Sequence, residues 1–133
     1  MFRLFAGVFC LCGFLLGSTV SAQGSEWIPF DKAMEKAAVE EKNIFLYLYS
    51  PSCPWCHKMD EVTLQSPEVR VILRENFIRT KVNISERKSL IRQFQIQTIP
   101  ASIFLSPQED VLVNYQGYLT PERFLEIVPA SQP

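Results

Sequence analysis

Cys53-Pro54-Trp55-Cys56 is where residue types and spacing in this 133-residue chain best support covalent chemistry. Two thiols separated by two residues come within disulfide reach when they lie on the first turn of a helix. The flanking sequence sets up that turn. Residues 43–49 form an apolar run of strand length, Ser50-Pro51-Ser52 breaks it, and a helical pattern starts at Cys53 and runs to about Gln65. A helix start offers unpaired N–H groups and the positive end of the macrodipole, both of which favour a thiolate. Pro54 costs no hydrogen bond at that position. Cys53 is therefore expected to be the attacking sulfur. Cys56, a turn further in and more buried, is expected to resolve the mixed disulfide.

Other uses of the pair fit less well. Zinc wants four ligands, and the single histidine, His57, is all that remains beside the two thiols. A disulfide across so short a loop constrains the unfolded chain little. No metal or cofactor is expected. His57 reads either as a cation that tunes the dithiol or as a residue facing solvent.

The N-terminus accounts for the other two cysteines. Arg3 is the lone charge before Glu26, and an apolar stretch from Leu4 to Leu16 follows it. Ser18-Thr19-Val20-Ser21-Ala22 then offers small residues for cleavage after Ala22. Residues 1–22 read as a signal peptide, with a retained membrane anchor as the competing reading. Cleavage leaves a domain of residues 23–133, exported to the periplasm or secreted. It carries Cys53 and Cys56 as its remaining thiols and a net charge of -2, from 12 Lys and Arg against 14 Asp and Glu. That charge leaves no basic field for nucleic acid, and a composition of 47% apolar residues excludes disorder.

The mature chain supplies elements to hold the dithiol. Asp31 is placed to cap a helix over residues 32–41. The run 43–49 suits a central strand covered on both faces. Ser66 and Pro67 restart a helix after the dithiol helix. Further strands are expected over 77–83, 101–105 and 111–116, with a helix capped by Ser85 between the first two. Thr120-Pro121-Glu122 opens a last helix. The order predicts an α/β domain: a central mixed sheet of about four strands flanked by helices.

With these residues in place, the segment from about Trp27 to Val128 resembles a thioredoxin-fold domain. The resemblance rests on the C-x-x-C between strand and helix, Lys81-Val82-Asn83, Thr98-Ile99-Pro100 and Gly117. It is closest to the C-terminal domain of the periplasmic disulfide-interchange reductase and its small exported relatives. Val62-Thr63-Leu64, Ser66-Pro67-Glu68-Val69 and Gly117 to Phe124 carry that part of the likeness. The resemblance implies that Pro100 is cis and faces the dithiol. It makes Thr98 and Ile99 client-contacting neighbours, with the exposed apolar surface of Trp55 beside them. Two departures matter. The family's buried Asp, six residues before the first Cys, is here Tyr47, and Asp60, one turn after Cys56, is expected to share or replace its role. Asp60 also reads as a solvated carboxylate on a helix face. Pro54-Trp55 replaces the Gly-Pro of cytosolic thioredoxin, a dipeptide that tunes poise over about -270 to about -120 mV, or about 7 kcal/mol.

The expectation is thus a monomeric exported thiol–disulfide oxidoreductase that reduces protein disulfides. Its partners would be protein clients with disulfides or thiols and a membrane electron-transfer protein that re-reduces it in an oxidising compartment. The alternatives are a dithiol oxidase or isomerase, and a binding or chaperone module that needs neither thiol.

Overall fold

A computed structural model of the chain describes residues 27–130. The expected leader over 1–22 lies outside the described residues. The four strands occupy the ranges read from the sequence: β1 Asn43–Tyr49, β2 Phe77–Asn83, β3 Ala101–Leu105 and β4 Val111–Gln116. They form one mixed sheet in the order β2-β1-β3-β4. β1 and β2 are parallel, with Tyr47 opposite Lys81. β3 runs antiparallel to β1, with Ser102 opposite Tyr47. β4 is antiparallel to β3, with a register shift at Phe104/Leu105.

Alternation along β1 sends its side chains to two different cores. Ile44, Leu46 and Leu48 pack with Ala33, Ala37 and Leu90 in an aliphatic cluster. Those partners lie on helices α1 (Phe30–Glu40) and α4 (Ser89–Gln93). Phe45 and Tyr47 point the other way, into a largely aromatic cluster with Met59, Phe77, Phe104 and Phe124. That face is covered by α2 (Pro54–Lys58), α3 (Pro67–Asn76) and α5 (Pro121–Ile127). Both faces of β1 are therefore dry, and its first six residues are buried. A continuous apolar run without alternation is what such a strand requires.

Helix starts differ from the expected ones. α1 begins at Phe30 behind Pro29, with no side-chain cap. Asp31 lies inside the first turn and takes both prongs of Arg87, at 2.7 and 2.8 Å. A bidentate guanidinium from a distant loop outcompetes a local backbone N–H for that carboxylate. Ser85 caps nothing, because α4 starts only after Lys88; at Ser85 the chain turns, and its N–H donates to Asn83 Oδ1 at 3.0 Å. Ser66 stands before α3 but gives its hydroxyl proton to Glu68. Thr120 does cap α5, accepting from Arg123 N–H at 3.3 Å.

The expected continuous helix from Cys53 to Gln65 is two structures. After α2 the chain widens into a π-helical turn, Met59–Thr63. Its wide spacing shows in the Leu64 N–H, which donates to the Met59 carbonyl five residues back, at 2.9 Å. Such turns recur at functional sites.

Candidate active site

Cys53 is the N-cap of α2. Its sulfur accepts the Cys56 N–H at 3.2 Å, so one of the helix's orphan donors is aimed at it. Cys53 is part-exposed, whereas Cys56 is 1% exposed, and both are free thiols. The division between an accessible and a shielded sulfur follows from one helical turn. Burial, with the hydrogen bond to Cys53 adding to it, pushes the Cys56 thiol up to about 12.

The Ile99–Pro100 peptide is cis. The Cys53 thiol faces the Ile99 carbonyl, with sulfur and oxygen 3.9 Å apart. Two chain segments 46 residues apart thus meet at the reactive sulfur. Thr98 is exposed, Ile99 half-buried and Pro100 buried. The segment leading to Pro100 is held by one side chain that sequence reading did not single out. Gln116, the last residue of β4, accepts the N–H groups of Gln97 and Thr98 at 2.8 and 3.3 Å. Its amide N–H₂ donates to the Gln95 carbonyl at 3.2 Å. Asn114, two residues earlier on the same face, donates to the Phe94 carbonyl at 2.8 Å. Gly117 N–H then donates to the Pro100 carbonyl at 2.7 Å. Gly117 adopts a φ of 119°, a conformation that side-chain-bearing residues rarely take.

Trp55 is 55% exposed beside the dithiol. It packs against Tyr118 with ring centroids 5.4 Å apart, and Lys58 Nζ lies about equally over both rings, at 5.1 and 5.0 Å. Tyr118 is placed there through its neighbour, since the Thr63 hydroxyl donates to the Leu119 carbonyl and ties the π turn to this loop. His57 resolves to a local structural role: its Nε2 lies 2.7 Å from the Pro51 carbonyl, pinning the loop before α2.

Behind Cys56 the residues are polar in a dry place. Tyr47 is fully buried, and its hydroxyl donates to the Cys56 carbonyl at 3.2 Å. Burial, and then the negative charge of Asp60, push the Tyr47 phenol well above its ordinary range. Asp60 lies in the π turn and pairs with Lys81 Nζ at 2.7 Å. The Lys81 ammonium also sits over the rings of Tyr49 and Tyr47, at 4.4 and 5.3 Å. Asp60 keeps 31% of its side chain exposed, so it touches both this network and solvent. Among the described residues no three His, Cys, Asp or Glu side chains gather as a metal site.

A thioredoxin-like domain model matches residues 30–132. The chain belongs to the thioredoxin-like family. Among curated proteins, spermatogenesis-associated protein 20 of Homo sapiens is 31% identical over 106 residues, and that of Mus musculus 41%. The alignment takes in 73% of this chain but 13% of those relatives, so the chain spans a small part of their length. Among solved structures, a thioredoxin from Thermus thermophilus superposes with a TM-score of 0.70 at 24% identity, covering 76% of this chain and 82% of that one. The reduced C-terminal domain of Neisseria meningitidis DsbD gives 0.59 at 24% identity, over 72% and 88%. A DsbH oxidoreductase gives 0.63 at 20% identity, over 70% and 76%. These likenesses share the thioredoxin fold, and the DsbD C-terminal domain is among the structures that share it.

Proposed function

We propose that this chain is an exported thiol–disulfide oxidoreductase that reduces disulfides in protein clients. One arrangement carries the reading: a part-exposed sulfur that accepts a helix N–H and faces the Ile99 carbonyl of a segment 46 residues away. Cys53 thiolate attacks one sulfur of a client disulfide. The Cys53–client bond forms, the client S–S bond breaks, and its electron pair leaves on the other client sulfur, which takes a proton. Cys56 thiolate then attacks Cys53 Sγ. The Cys53–Cys56 bond forms, and the second client sulfur leaves with its pair and is protonated. The client gains two electrons and the dithiol loses two.

The client chain lies along Thr98, Ile99 and Pro100, with its side chains against Trp55 and Tyr118. Asp60 is the carboxylate available to receive the Cys56 proton, because it reaches both the buried network and solvent. A dithiol donor, membrane-bound in an oxidising compartment, returns the two electrons. The test is trapping. Cys56→Ser should accumulate mixed disulfides with protein clients, visible as thiol-sensitive adducts by mass, and Cys53→Ser should accumulate almost none. Equal trapping by both variants would overturn the assignment of the two sulfurs. Client binding that survives loss of both thiols, with no reduction by the wild-type chain, would favour a binding module built on Trp55 and Tyr118.

A further inference from the structure

Resting on that reading, we propose that the Tyr47 hydroxyl is a hydrogen-bond donor to the Cys56 thiolate during resolution. Three observations place it. Tyr47 is fully buried and its hydroxyl is already at Cys56, 3.2 Å from the carbonyl of that residue. The ring is fixed from several sides: it stacks on Phe45 and Tyr49 at 6.5 and 5.9 Å, packs on Trp27 at 6.4 Å, and lies under Lys81. The oxygen is therefore held in place while its proton remains free to turn about the C–O bond. In the reduced protein that proton points to the carbonyl. When Cys56 ionises, the full negative charge on sulfur is the stronger acceptor.

The chemistry differs from that of a buried acid. A carboxylate near a buried thiol can take its proton but repels the thiolate that results. A phenol held far above its ordinary range by burial stays protonated, so it cannot act as the base. It can lower the cost of the thiolate at a sulfur shielded from bulk solvent. The same hydroxyl already acts against the rise imposed on the Cys56 thiol by burial. Tyr47 and Asp60 thus have separate tasks: Asp60 receives the proton, and Tyr47 steadies the anion left behind. The atoms balance as in the resolution step above, with the Tyr47 proton shared with sulfur and never transferred.

The test is a single turnover of pre-reduced protein with a disulfide-linked peptide pair carrying fluorophore and quencher, quenched in acid and followed by mass. Pre-reduction supplies both electrons, so no outside donor is needed. Tyr47→Phe removes one oxygen and keeps the ring contacts. Attack by Cys53 should stay within about twofold of wild type. Resolution should slow about tenfold or more, as loss of a hydrogen bond to a charged group implies, and mixed disulfide should accumulate. The rise of the resolution rate with pH should also move about one unit upward, a change that lost packing alone does not cause. Wild-type resolution in Tyr47→Phe would overturn the inference, and so would equal slowing of both steps. Absence of mixed disulfide from the wild-type reaction at any time, with no client reduction, would instead overturn the oxidoreductase reading.

Discussion

The two faces of β1 are both dry, yet they differ in kind. One is filled by aliphatic side chains from Ala33, Ile44, Leu46 and Leu90, and carries none of the polar groups behind Cys56. The other is aromatic, and there the rings of Phe45, Phe104 and Phe124 meet within 6 Å of one another. Every polar contact behind Cys56 is built on that second face. Aromatic rings allow this because they are rigid, bury large areas, and in tyrosine carry a polar tip that can be aimed. The aliphatic face stabilises the sheet. The aromatic face also positions a hydroxyl, an ammonium and a sulfur.

The largest test of that division is a pair of truncations. Phe45→Ala should cost about 4 kcal/mol and Leu46→Ala about 3 kcal/mol, read as shifts of the urea midpoint. Per folded molecule, Leu46→Ala should reduce clients at the wild-type rate. Phe45→Ala should slow resolution, because Tyr47 loses a stacking partner. Equal rates in the two variants would remove the functional distinction between the faces.

A second effect separates the redox states. The Cys56 thiol rises from 9.0 to about 12 in the folded protein, so the unfolded chain releases this proton first. Between those values the native state binds more protons than the unfolded state, and stability falls as pH increases. The contribution is whole below about pH 9 and is lost as pH climbs towards 12. The Cys53–Cys56 disulfide has no such proton. Urea midpoints of the reduced form should therefore drop more steeply above pH 9 than those of the oxidised form. Parallel slopes would mean that Cys56 is not the group responsible.

The smallest effect concerns the Gln116 clamp, which lies opposite Ala101 on the aliphatic side, away from Tyr47. Gln116→Leu should lower kcat/KM for a protein client about fivefold, roughly the worth of a hydrogen bond. Reduction of a small symmetrical disulfide, which needs no docking along Thr98 and Ile99, should stay unchanged. A matching loss with the small disulfide would place the clamp in the chemistry of the sulfur instead.

What was legible in the sequence follows the range of the interactions. All four strands were readable because burial on two faces, or on one, writes itself into consecutive residues, as in 43–49. The Cys53–Cys56 pair at a helix start was readable from residue types and short spacing, whereas Pro100 was reached through the thioredoxin-fold resemblance. Asp31 and Ser85 were misread as caps because Arg87, 56 residues away, takes the Asp31 carboxylate and α4 starts only after Lys88. Gln116 had no local signal at all: its bonds to the segment before Pro100 span 18 to 21 residues. Tyr47 showed in the sequence only as a missing acid, since nothing in an apolar run tells which way a hydroxyl points. Lys58 and Tyr118 were likewise separate until the 117–120 loop brought the second ring under the first cation.

The π turn at Met59–Thr63 makes the chain's residue count part of the site. A π turn holds one residue more than an α-helix of the same rise would. Each α-helical residue advances the helix by about 100°. Deleting one residue from this segment would let it close into ordinary helix, and everything after it would arrive out of phase by about that angle. Thr63 would turn away from the Leu119 carbonyl, and Tyr118 would lose the link that seats it over Lys58. The effect would be felt at the client-facing aromatic pair, although the missing residue would lie in neither the dithiol nor the proline loop. In this chain a single-residue gap between Lys58 and Leu64 is a change of active-site geometry, whereas the same gap in the exposed tip at 108–110 is a change of loop length.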